Sequence, residues 1–133
     1  MIDIEAAVFT PIAQELRNTY SGIDVKSEYV RTPAKFPHVS FVESDNYISI
    51  RHMDNGSSEK FATVMYEVNI YSNRQGDRKT EARKILKTID EMMYNLNFTR
   101  IAMLPVPNLE DSTIYRLTVR YRAETDGTKL YRI

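Results

Sequence analysis

The chain has 133 residues, 42% hydrophobic and 27% charged, a globular composition with room for one core. Eighteen Lys/Arg balance eighteen Asp/Glu, so bulk charge does not bind this protein to nucleic acid or an anionic membrane. With no cysteine, disulfides and thiolate metal sites are excluded.

No stretch approaches the roughly 20 apolar residues of a membrane span. The opening Met1-Ile2-Asp3-Ile4-Glu5 lacks the basic start and apolar run of a signal peptide. The expectation is a protein folded in a cytoplasm, with no membrane partner. Charge is uneven along the chain: residues 1–66 carry 6 Lys/Arg against 9 Asp/Glu, and residues 67–133 carry 12 against 9. Such a swing also arises by chance, but opposite patches on one subunit suit a head-to-tail contact between copies.

Ile4, Val8, Ile12, Leu16 and Tyr20 recur every four residues and mark one stripe of a helix. Pro11 interrupts the pattern, so either the helix kinks there or Thr10 caps a second piece. Ser21-Gly22 ends it. Ile23, Val25 and Tyr29 alternate with polar residues as a half-buried strand, and a loop covers 31–35. Phe36-Pro37 leads a short apolar strand over 38–42, where a proline at the start needs no ladder donor.

Residues 45–60 read as an exposed hairpin or long loop, with Tyr47, Ile48 and Ile50 in an extended arm and Asp54-Asn55-Gly56 as a turn. Ala62, Val64, Tyr66, Val68 and Ile70 form the cleanest alternation, with Thr63, Met65, Glu67 and Asn69 on the other face. Asp77 is the expected N-cap of a second helix, whose stripe is Ala82, Ile85, Leu86, Ile89, Met92, Met93 and Leu96. A strand over 98–104 should break at Pro105-Val106-Pro107-Asn108. In the last long strand Tyr115, Leu117, Val119 and Tyr121 alternate with Arg116, Thr118, Arg120 and Arg122. Asp126-Gly127 turns into a short tail. The predicted fold is α+β, one domain over residues 1–133, with a mostly antiparallel sheet of about five strands packed with two helices.

Catalytic chemistry finds little footing. His38 and His52 have no ligand-spaced partners, and there is no HExxH motif. There is no GxSxG elbow, and the four glycines are too scattered for a phosphate-binding loop. The carboxylate pairs Glu110-Asp111 and Asp90-Glu91 read as solvated turn and helix-face residues. The expectation is a protein that is not an enzyme and takes no cofactor and no metal.

Interaction chemistry is better represented. Arg116, Arg120 and Arg122 share one strand face, which could follow a phosphate backbone. The aromatics able to stack bases alternate onto the opposite face, so a charged solvent face or a subunit contact is the preferred reading. Nine tyrosines suit interfaces, because Tyr buries area and keeps a polar tip. Tyr47 and Tyr131 lie outside the strongest periodic segments. The candidate interface set is Tyr47, Ile50, Arg51, Asp54, Asn55, Arg116, Arg120, Arg122 and Tyr131.

The succession resembles the tail terminator proteins of long-tailed bacteriophages, also called minor tail or tail-completion proteins. The resemblance is carried by the opening helix, the strand Lys35-Phe36-Pro37-His38-Val39-Ser40-Phe41-Val42, the exposed segment to Lys60 and the strand Val64-Met65-Tyr66-Glu67-Val68-Asn69-Ile70-Tyr71. The helix over 80–96, Asn97-Phe98-Thr99-Arg100 and Thr113-Ile114-Tyr115-Arg116-Leu117-Thr118-Val119-Arg120-Tyr121 continue it. The resemblance implies a structural subunit of a virion tail that forms a homo-hexameric ring on the tail tube protein, ends tube growth and meets a head-side connector. DNA would at most pass through the ring, and no cofactor is implied. Another head–tail neck or completion protein is the alternative, and a single-stranded nucleic-acid-binding domain a more distant one.

Overall fold

The computed structural model describes residues 1–49, 61–108 and 111–133. The candidate residues Ile50, Arg51, Asp54 and Asn55, with the expected 54–56 turn, lie outside this range. The elements run α1 (Glu5–Thr19), β1 (Asp24–Lys26), β2 (His38–Ile48), β3 (Ala62–Ser72), α2 (Arg78–Asn95), β4 (Thr99–Val106), β5 (Tyr115–Thr125) and β6 (Leu130–Tyr131). The fold is α+β. Two helices lie on one face of a six-stranded, mostly antiparallel sheet with the path β1-β2-β3-β5-β4, and β6 pairs with β5.

The core follows the two periodicities of the sequence. Val8, Ile12 and Leu16 of α1 and Ala82, Ile85, Ile89 and Met93 of α2 are buried. They meet Val39 and Phe41, the set Val64, Tyr66, Val68 and Ile70, and Leu117, Val119 and Tyr121. Register explains the match, since Phe41, Val68 and Val119 stand opposite one another, as do Val39, Ile70 and Leu117. Each fully buried Val, Leu or Ile contributes about 1.5–3 kcal/mol of transfer free energy, and strand alternation puts these side chains on one side.

Several local expectations need correction. Helix α1 runs through Pro11 as one element, so Thr10 caps no second piece. The carbonyl that Pro11 cannot satisfy belongs to Ala7, which is exposed and can be hydrated. Asp77 is the N-cap of α2 by position, but its side chain makes no cap hydrogen bond. It pairs with Arg74 at 3.3 Å instead. Helix α2 closes with Asn97 in the left-handed region (φ 69°) and Phe98 N–H donating to Met93 O at 2.9 Å. This is a Schellman-type end with Asn in glycine's usual place.

Strand β1 is only three residues long and parallel to β2, so Tyr29 lies beyond it and is exposed. Strand β2 extends to Ile48, well past the expected 38–42, because the β3 ladder continues as far as Ala62. Strand β4 includes Pro105 and ends at Val106, where a break was expected. It is the last strand of the sheet path, where a residue without N–H can face away from the ladder. The tail adds the short sixth strand, β6.

Candidate interaction surfaces

The sheet face away from the helices carries the arginines. Strand pairing places Arg116 opposite Tyr71, Thr118 opposite Asn69, Arg120 opposite Glu67 and Arg122 opposite Met65. Asn69 Oδ1 accepts hydrogen bonds from Arg116 Nε (3.0 Å), Arg116 Nη2 (2.9 Å) and Thr118 Oγ1 (2.7 Å). Arg120 Nη2 donates to Glu67 Oε1 at 3.3 Å. Two of the three arginines thus have partners within their own subunit. The Nε of Arg122 is buried and finds no partner among the described residues.

Aromatics are present on this arginine face, contrary to expectation. The Arg116 guanidinium carbon lies 5.5 Å from the Tyr71 ring centroid and 6.0 Å from that of Tyr29. Burial pushes the Tyr71 phenol up to about 12, with the Arg116 charge acting against it. Tyr71 is closed to solvent, and the Tyr29 ring already has Arg116 beside it. The stack is an internal cation–π arrangement.

Tyr47 and Tyr131, far apart in sequence, share one cross-strand row: Tyr47 pairs with Thr63, Thr63 with Glu124, and Glu124 with Tyr131. They are 44% and 40% exposed. Tyr131 also lies beside Phe61 (ring centroids 6.0 Å apart) and donates to Asp126 Oδ2 at 3.1 Å.

Sequence reading missed the surface along β4. Ile101, Met103 and Leu104 are 41%, 37% and 45% exposed on this edge strand. A usable signal was present: Pro105 beside an apolar run marks an edge strand, and an apolar run on an edge is costly to leave bare. Between β4 and α2 lies an open groove of about 420 Å³, lined by Arg83, Lys84, Lys87, Leu86, Arg100 and Met103 among others. Arg100 is held by Asp90 Oδ2 at 3.1 Å, whereas Arg83, Lys84 and Lys87 make no ion pair among the described residues.

One polar chain resembles a catalytic arrangement. His38 Nδ1 lies 3.0 Å from Asp24 Oδ2, and His38 Nε2 lies 3.0 Å from Ser40 Oγ. That is the order of a nucleophile relay. Ser40 is fully buried, however, and its oxygen also accepts from Val30 N–H at 3.4 Å. A nucleophile must reach substrate, and in this arrangement Ser40 has no solvent access. The relay ties β1 to β2 and orders the following loop. Among the described residues no group of three or more His, Cys, Asp or Glu is placed to hold a metal ion, and no helix is long and apolar enough to cross a membrane.

No family model matches the chain, and neither does any curated protein. Among solved structures, the chain is similar to the sheath/tube terminator, in its extended state, of the extracellular contractile injection system PVC. The TM-score is 0.48 and the identity 12%, over 96% of this chain. The chain covers 59% of the length of that terminator.

Proposed function

We propose that this chain is a tail-terminator subunit that works by binding. It caps a tail tube as a homo-hexameric ring, ends elongation and offers its far side to a head-side connector. One face matches the last ring of tube protein, and the other lacks the surface on which tube subunits polymerise. DNA passes through the ring without sequence-specific contacts. The subunit is made in a bacterial cytoplasm and ends in the neck of a virion.

Two independent features support the reading. The first is the sequence resemblance, which runs from the opening helix to Tyr121. The second, which carries most weight, is the apolar edge of β4: Ile101, Met103 and Leu104 lie bare on the last strand of the sheet. A lone soluble subunit has reason to blunt such an edge, whereas a subunit of an assembly covers it. The reading is interfacial, because Ser40, the one serine in a relay among the described residues, is sealed inside. The arginine face favours nucleic acid less, since Arg116 and Arg120 are already bound to Asn69 and Glu67.

The test is to add the purified chain to assembling tube protein and measure tube length by electron microscopy. Tubes that stop growing and carry extra density at one end support the proposal. Tubes of unchanged length, with the chain free in solution, refute it. Salt-dependent binding of an oligonucleotide by a chain that ignores tubes would favour the nucleic-acid reading.

A further inference from the structure

Glu43 and Arg100 stand at opposite ends of one row across the sheet. Glu43 pairs with Tyr66, Tyr66 with Tyr121, and Tyr121 with Arg100. Three strand spacings of about 4.8 Å separate β2 from β4, so an acidic and a basic site lie at one height on the two flanks.

Each flank carries more of its own sign. On the β2 flank, Asn46 Nδ2 donates to Ile2 O (2.8 Å) and to Glu43 Oε1 (3.2 Å), drawing the chain start against the strand. Burial is the main cause raising Glu43 above the usual carboxylate range; Asn46 opposes it, and the nearby Glu5 and Asp3 add to it. Asp45 is exposed beside them. On the β4 flank, Arg83, Lys84 and Lys87 line the groove with Arg100 and with Asp90, whose carboxylate pairs with Arg100 and leaves the three helix cations in excess.

Both flanks also leave a strand side open and apolar surface bare. Strand β1 pairs only with His38–Ser40, so the rest of β2 has no strand neighbour on that side among the described residues. Tyr47 and Ile48 are exposed there, and Ile101, Met103 and Leu104 on β4. We infer that the α2–β4 edge of one copy receives the α1–β2 edge of the next, in a head-to-tail contact between copies of this chain. Strand directions agree: β2, β3, β5 and β4 alternate, so β4 of one copy would meet β2 of the next antiparallel. Both edges carry a register irregularity at this height, between Glu43 and Asp45 and between Arg100 and Ala102, and Pro105 lacks a donor. The contact is therefore side-chain packing under opposite charge rather than a continuous ladder. A heterologous contact of this kind closes into a ring or runs into a filament.

This inference names the subunit contact within the terminator reading and rests on it only for ring closure. The chain has no cysteine, so a single introduced thiol reports on one edge. Ala6→Cys marks the acidic edge and Met103→Cys the basic edge, and neither removes a charge. The two variants, folded by circular dichroism, are mixed at low salt with a short bismaleimide. Linked Ala6→Cys/Met103→Cys pairs should exceed both like-with-like pairs several-fold, and high salt should reduce the excess.

Lys84→Glu with Lys87→Glu should abolish the excess. Glu5→Lys with Asp45→Lys in the other partner should restore it. Like-with-like linkage in the majority would overturn the inference in favour of an isologous contact. No excess of mixed pairs would also overturn it and leave the groove to a foreign acidic partner. Tube capping without mixed pairs would sink this interface and keep the proposed function, whereas mixed pairs without capping would do the reverse.

Discussion

His38 Nδ1 lies 3.0 Å from Asp24 Oδ2, and this contact spans the parallel step between β1 and β2. Burial is the larger influence and holds His38 below its ordinary value; the hydrogen bond and charge of Asp24 oppose the shift, and Lys26 adds to it. The unfolded chain therefore takes up this proton first as pH falls. The contribution of a neutral His38 is fully present above about 6.5 and is lost as pH drops toward and through the lower folded-state value. Urea midpoints followed from about pH 7.5 to about pH 5 should fall, and His38→Gln should flatten that part of the profile. A midpoint that rises on acidification would mean that the Asp24 attraction outweighs burial.

The same contact shows where sequence reading ends. Helix stripes and the β3 alternation were legible because burial repeats with period 3.6 or 2, and Val8, Ile12, Val68 and Ile70 are all in the core. Asp24 and His38 meet only because β1 runs parallel to β2, with Asp24 in register with His38. No local pattern encodes that pairing. Tyr29 is in phase with Val25 in the sequence alternation, yet the strand stops after Lys26. The arginine face was placed on the correct side of β5, but its partners Asn69 and Glu67 come from β3 and needed the register to be found. The exposed β4 edge was missed because an apolar run looks alike in a buried strand and at an interface.

Val68→Asp should unfold the domain. Val68 is fully buried between Phe41 and Val119 in the middle of the sheet. The side chains of the helix-covered face around it are apolar, Ile85, Ile89 and Leu117 among them, and an unpaired carboxylate there costs more than about 4 kcal/mol. Circular dichroism should show loss of cooperative melting; a normal melt would mean the facing of β3 is wrong.

Tyr121 Oη donates to Asp90 Oδ1 at 2.9 Å, and Arg100 holds Asp90 Oδ2 at 3.1 Å. Tyr121→Phe removes one hydrogen bond while Arg100 still satisfies the carboxylate, so about 0.5–1.5 kcal/mol should be lost. Asp90→Ala strands the buried phenol and should cost about 1–3 kcal/mol. Denaturant titration of the two variants should rank them in that order, and equal losses would show that water replaces Asp90.

The three arginines should separate in stability measurements. Arg116→Ala leaves buried Asn69 short of two donors and should cost about 1–3 kcal/mol. Arg120→Ala breaks an exposed pair with Glu67 and should cost about 0.2–1 kcal/mol. A combined reversal to Glu at 116, 120 and 122 should therefore melt below the parent, contrary to what three freely solvated side chains would do. Only the Arg120 variant is a clean probe of assembly through this face. If Arg120→Ala melts within that small margin of the parent and still caps tubes, the middle of the arginine face has no part in joining.

The β4 edge offers the sharpest separation of folding from assembly. Ile101 sits at the register irregularity between Arg100 and Ala102, where the ladder to β5 is interrupted, and about two-fifths of it is exposed. A lysine there meets water rather than core, so the change in stability should stay within about 0.5 kcal/mol. Lysine is also the residue that edge strands use to refuse neighbours. Ile101→Lys should therefore melt like the parent and stay soluble at higher concentration, yet fail to shorten growing tubes. Parent-like capping by Ile101→Lys, with the fold verified by circular dichroism, would remove the β4 edge from the mechanism. A large loss of stability would show instead that Ile101 is packed in the isolated subunit, and that the apolar edge needs no partner to cover it.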